Sequence, residues 1–171
     1  MNVFGYAMQM ELDGKAYYQQ LARQTTLPGL RTIFTRLAED EQKHYEIFAE
    51  LQKGYKFMAM MATTALEDVQ NVFTELPRNA AALQGLSEDL PAYHHAMKLE
   101  ADSFRLYEDA AAKESDNETK ALLLRIAAEE HKHFIILENI YQFVNAPNHY
   151  LAWGEFSNLE EFRQFGREVD R

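Results

Sequence analysis

The stretch Leu37-Ala38-Glu39-Asp40-Glu41-Gln42-Lys43-His44 returns 89 residues later as Ile126-Ala127-Ala128-Glu129-Glu130-His131-Lys132-His133. Each copy carries Glu-x-x-His. Residues three apart on a helix share a face, so Glu41 with His44, and Glu130 with His133, can each reach one point. The same offset runs without a gap from 7–47 to 96–136, where twelve of the 41 positions are identical. Unrelated sequences of ordinary composition would agree at about three. The identities include Ala7/Ala96, Met8/Met97, Glu11/Glu100, Tyr18/Tyr107, Arg36/Arg125, Ala38/Ala127, Glu41/Glu130, Lys43/Lys132, His44/His133 and Ile47/Ile136. This reads as a duplicated helical hairpin whose halves are related by an approximate two-fold axis. Shared packing accounts for the Ala, Met and Ile matches. It does not account for Glu11, Glu41 and His44 returning together.

Outward from the repeat, the chain divides into long helical segments. Apolar residues at helical spacing, such as Leu12, Ala16 and Leu21, predict a first helix over Val3 to Gln24. Thr25 to Gly29 is a break, and a second helix follows from about Leu30 to Lys53, stopped by Gly54. Residues 55–89 form a connection that opens with Met58, Met60 and Met61, read as apolar packing, and carries a capping box, Thr64-x-x-Glu67, ahead of a short helix from about Ala65 to Leu76. Asp89 and Pro91 open a third helix to about Lys113. Ser115-x-x-Glu118 caps a fourth, to about Val144. The aromatic tail predicts a short helix around Leu159 to Gly166. Short links make antiparallel neighbours, whereas the long connection lets helices two and three run parallel. The expected fold is all-α: an antiparallel four-helix bundle with one long crossover connection between helices 2 and 3 and a short C-terminal helix. Residues 1–147 form the bundle, and 148–171 form a tail packed on it.

Composition agrees with one helical domain. The 171 residues include only seven Gly and four Pro, too few for a loop-rich chain. Zero Cys excludes disulfides, thiolate metal sites and cysteine nucleophiles within them. The net charge of −10, from 27 acidic and 17 basic residues, argues against nucleic-acid and anionic-membrane partners. No apolar run reaches the roughly 20 residues of a membrane span, and the N-terminus lacks a signal-peptide pattern. A cytoplasmic location is expected.

The neighbours of the repeated Glu and His residues fix the direction in which they point. Leu37, Ala38, Glu41, His44, Tyr45 and Phe48 sit at core spacing, as do Ile126, Ala127, Glu130, His133, Phe134 and Leu137. On the other two helices Met8, Glu11, Leu12 and Tyr18 match Met97, Glu100, Ala101 and Tyr107. Four carboxylates and two imidazoles therefore face inward. Buried without a cation, each carboxylate would cost several kcal/mol or take up a proton, and no Lys or Arg sits at core spacing beside them. Two divalent metal ions balance four carboxylates, and each gains one imidazole. The mixed Glu/His set suits iron or manganese better than calcium or magnesium. The metal ligands expected are Glu11, Glu41, His44, Glu100, Glu130 and His133.

Further candidates repeat as well. Asp40 lies four residues before His44, and Glu129 four before His133. They are either solvated acids at the edge of the stripe or acceptors for the ring N–H that a bound metal leaves free. Tyr18 and Tyr107 lie two turns beyond Glu11 and Glu100. They either fill the core or donate hydrogen bonds near the metals or supply an electron. His94, His95, His131 and His149 fall outside the pattern and read as exposed or flanking residues.

These motifs, with Ala7-x-x-x-Glu11 and Ala96-Met97-Lys98-Leu99-Glu100, resemble the rubrerythrin branch of the ferritin-like superfamily over residues 5 to about 145. The resemblance implies a non-haem di-iron centre, two iron ions with manganese or zinc as substitutes. Glu41 and Glu130 would bridge, and Glu11 and Glu100 would be terminal ligands. It also implies reduction of hydrogen peroxide or dioxygen. Two departures stand out. Full-length rubrerythrins carry a Cys-ligated iron site, so without Cys the electrons must come from a separate donor protein. They also carry an extra Glu one turn after the third-helix Glu, and here that position is Ser103, which makes the centre more symmetric and closer to a ferroxidase. Ferroxidase or iron-handling activity, oxidation of an organic substrate and a purely structural metal are the competing readings. The apolar helix faces and aromatic tail suggest a homodimer.

Overall fold

A computed structural model describes residues 3–54 and 86–145, and every element within them is helical. Helix α1 spans Val3–Gln24 and α2 Pro28–Gln52; a 3-10 turn at Leu86–Asp89 leads into α3, Leu90–Lys113, and α4 spans Asn117–Asn145. All four expected long helices are present. The expected capping box at Thr64 and Glu67, the short helix 65–76, the methionines at 58–61, His149, the tail with its helix and the division at 147/148 lie outside the described residues.

The helix ends follow from local chemistry. Pro28 occupies the first turn of α2, where its missing N–H costs nothing, so α2 begins two residues before the expected Leu30. Arg31 reaches back from α2 to the open end of α1. Its guanidinium donates to the carbonyls of Ala22 and Thr25, each at 3.2 Å, satisfying groups that a helix C-terminus leaves unpaired. Gly54 ends α2 in the left-handed region, at φ +80°, and its amide donates to the Leu51 carbonyl at 3.0 Å. The cap of α4 is Asp116 rather than Ser115. The Asp116 carboxylate accepts the amide of Thr119 at 2.9 Å, and its carbonyl accepts the amide of Lys120 at 2.9 Å. An ionised carboxylate is a stronger acceptor than a hydroxyl at the positive end of a helix.

Helix α1 packs most closely on α2, and α3 on α4, as two hairpins. Ring contacts between the hairpins fix their relative direction. Phe34 stacks on Tyr93 with centroids 5.8 Å apart, and Phe48 lies on Tyr107 at 5.0 Å. Phe34 and Tyr93 each precede the Glu of their own helix by seven residues, and Phe48 and Tyr107 each follow it by seven. Helices α2 and α3 therefore run parallel, the direction a single crossover requires.

The core is continuous through all four helices and includes Ile33, Phe34, Leu37, Phe48, Tyr107, Ile126, Ile136 and Leu137. Leu12, expected in the core, is 38% exposed. Its neighbour Glu11 faces inward instead, and a step of one residue turns a helical side chain by about 100°. No helix among the described residues is long and apolar enough to cross a membrane.

Candidate metal centre

Halfway along the bundle the apolar core gives way to a cluster of buried carboxylates and imidazoles. Glu11 from α1, Glu41 and His44 from α2, Glu100 from α3 and Glu130 and His133 from α4 are all buried. The Phe34–Tyr93 and Phe48–Tyr107 pairs pack to either side of them along the axis. The six residues form two overlapping groups: Glu11, Glu41, His44 and Glu130, and Glu41, Glu100, Glu130 and His133. Within each group, one ligand atom per residue lies within 4.8 Å of all the others. Glu41 and Glu130 belong to both.

The contacts come in two-fold pairs. His44 Nδ1 lies 2.8 Å from Glu130 Oε1 and 3.4 Å from Glu11 Oε2. His133 Nδ1 lies 3.0 Å from Glu41 Oε1 and 3.6 Å from Glu100 Oε2. The two imidazoles face each other at 5.7 Å between centroids, their planes 24° from parallel. Tyr18 on α1 donates its hydroxyl to Glu100 on α3, and Tyr107 on α3 donates to Glu11 on α1.

Asp40 and Glu129 are buried rather than solvated. Each serves the histidine of the opposite hairpin rather than the one on its own helix. His44 Nε2 is 2.9 Å from Glu129 Oε2, and His133 Nε2 is 3.4 Å from Asp40 Oδ2. Asp40 also accepts a 2.7 Å bond from Lys43, whose side chain is 63% exposed. With a carboxylate at Nε2, a proton is held there, so a ring that gives up its other proton presents the Nδ1 lone pair to the cluster.

The protonation chemistry is that of a site built around a cation. Burial, followed by the charges of neighbouring carboxylates, pushes the pKa values of Glu41 and Glu130 well above the usual range. Burial alone would lower the pKa values of His44 and His133, but the carboxylates around them raise both well above normal. For Glu11, burial is outweighed by His44 and by hydrogen bonds from neighbours including Tyr107, and its pKa falls. Burial and then the nearby carboxylate charges keep the Tyr18 and Tyr107 hydroxyls protonated.

Six atoms of the cluster make no well-aligned hydrogen bond: Glu11 Oε2, Glu41 Oε1, His44 Nδ1, Glu100 Oε2, Glu130 Oε1 and His133 Nδ1. There is one from each residue, and all are acceptors or ring nitrogens. Buried polar atoms left so are costly, and a pair of divalent ions would satisfy all six while balancing four carboxylates. The donor set fits the di-iron centre that the sequence resemblance implies.

His94 and His95 are exposed, and His131 is half-buried against the Phe104 ring at 6.1 Å; none joins either group. One participant did not stand out from the sequence. Gly14, one turn beyond Glu11, lies against Glu41, and a Cβ there would come within 3.1 Å of Glu41 Oε2. Its only signal is a glycine in mid-helix with no break around it.

Residues 2–141 match the family model for rubrerythrin. No curated protein and no solved structure matches the chain. The family match spans both hairpins and all six clustered Glu and His residues, and the chain belongs to the rubrerythrin family of ferritin-like di-iron proteins.

Proposed function

We propose that the protein is a non-haem di-iron oxidoreductase that reduces hydrogen peroxide or dioxygen with electrons from a separate donor protein. The observation that carries this reading is the convergence of six unsatisfied, buried Glu and His atoms in a family of di-iron proteins. A bound iron pair supplies redox equivalents and a place for the O–O unit to bind.

The residues divide the remaining work. Glu41 and Glu130 belong to both groups and would be shared by the two metals, whereas Glu11 and Glu100 would each serve one. His44 and His133 offer Nδ1, held in that tautomer by Glu129 and Asp40. Tyr18 and Tyr107 fix one oxygen of Glu100 and Glu11 and leave the other directed at the cluster. The apolar core around the site keeps bulk water away. Reduction of hydrogen peroxide to two waters takes two electrons and two protons, so the donor must return two electrons per turnover. These 171 residues contain no Cys and so no thiolate-bound iron to relay them.

A ferroxidase is the second reading, with Fe(II) as substrate. It is favoured by Ser103 standing where rubrerythrins carry an extra Glu, and by the two-fold pairing of the contacts. The deciding experiment is anaerobic loading with Fe(II), a count of bound iron per chain, and stopped-flow absorbance on mixing with peroxide or with oxygenated buffer. Two irons per chain, oxidised faster by peroxide, support the first reading. Faster oxidation by oxygen, with turnover as Fe(II) is added, supports the ferroxidase. A chain that binds no iron overturns both.

A further inference from the structure

Gly14 sits in the middle of α1, where a glycine costs stability relative to alanine because it surrenders more backbone freedom. Gly54 is the one described glycine with positive φ, so backbone conformation does not explain Gly14. Space does. A Cβ at Gly14 would lie 3.1 Å from Glu41 Oε2 and 3.4 Å from the Glu41 carboxyl carbon. The other oxygen of the same carboxylate, Oε1, is 3.0 Å from His133 Nδ1. Glu41 therefore spans the bundle from the bare backbone of α1 to the imidazole of α4. Its two-fold mate, Glu130, has no such glycine opposite the repeat: the position matching Gly14 is Ser103, which is buried.

We infer that Gly14 is a positioning residue for Glu41: the missing side chain leaves the room in which the second oxygen of this shared carboxylate lies. The inference rests on Glu41 being a metal ligand. It separates two effects of adding a methyl group at position 14. Without metal, the carboxylate is the free end of a flexible side chain and can yield by a few tenths of an ångström, so the gain in helix propensity dominates. With metal bound, Glu41 would be held in place as a ligand, and the added carbon would have to displace it or α1.

The test is Gly14→Ala, with thermal unfolding of the metal-free protein measured beside anaerobic calorimetric titration with Fe(II), and with Mn(II) as an air-stable probe. The expected result is a metal-free Tm equal to or about 2–4 °C above wild type, with affinity about tenfold or more weaker, the size typical of losing a group that orients a ligand. Unchanged affinity in the variant, with wild type binding two ions, overturns the role of Gly14 and leaves the metal centre standing. A lower metal-free Tm also overturns it, since Gly14 would then serve close backbone packing. If wild type binds neither ion, the reading of the centre falls and this inference falls with it.

Discussion

At the scale of single residues the cluster is a balance between repulsion and ligation. Glu130 is the sharpest probe, because it belongs to both metal groups and its carboxyl is driven strongly toward protonation by burial and its neighbours. Glu130→Ala should abolish stoichiometric binding of two ions in an iron or manganese titration while leaving the metal-free protein no less stable than wild type. A variant that keeps both ions would remove Glu130 from the ligand set. Tyr18→Phe should behave differently. It removes one hydrogen bond to Glu100, so two ions should still bind and only oxidation rates should change; loss of binding would make Tyr18 a ligand. The clustering of the six Glu and His residues was legible because Glu-x-x-His states its own geometry along a helix and recurs with Glu11 and Glu100 at the same offset. Asp40 and Glu129 were legible as acceptors for the ring N–H, but which ring each one meets was not. Asp40 and His44 lean the same way along α2, so they lie side by side, and the far nitrogen of each ring meets a carboxylate from the opposite helix. Sequence spacing reveals which face a residue occupies, but not which atoms another helix brings to it.

Single helices show a similar division between what spacing dictates and what tertiary contacts decide. The bounds of α1 and the direction of α3 against α2 follow from periodicity and link length, and the structure reproduces both. The entry to α4 does not, because Ser115 and Asp116 are both good caps and adjacent in sequence. The choice depends on backbone geometry set by Glu114, whose carboxylate accepts the amides of Ser115 and Asp116 at 2.7 and 2.9 Å. Asp116→Ala should therefore cost about 1 kcal/mol, or about 2–4 °C in Tm, while Ser115→Ala should be near neutral. Paired denaturation curves decide it, and equal losses would return the cap to Ser115.

For the whole molecule, the site makes the stability of the metal-free protein depend on pH in an unusual direction. Glu41 and Glu130 have raised folded-state values, so the folded protein holds protons that the unfolded chain releases above the ordinary carboxylate value of 4.5. His44 and His133 act in the same sense above 6.5. A state that binds more protons loses stability as pH rises. Glu11, with its lowered value, contributes the opposite sign, but only as pH falls below 4.5. The metal-free Tm should thus fall from about pH 5 to pH 8, whereas metal affinity should rise over the same range because the ligands bind as bases. Glu130→Gln should flatten the metal-free slope. A metal-free Tm that climbs between pH 5 and 8 would contradict this picture of the cluster.

The crossed contacts also govern time. Tyr18 and Tyr107 each tie one hairpin to a carboxylate of the other, and Asp40 and Glu129 do the same for the imidazoles. An ion that leaves by the parting of the hairpins must first break these four contacts. Metal exchange should then be slow, with an activation enthalpy close to that for hydrogen exchange of the most protected amides of α2 and α4, so that the centre works as a clasp whose opening is the opening of the fold itself.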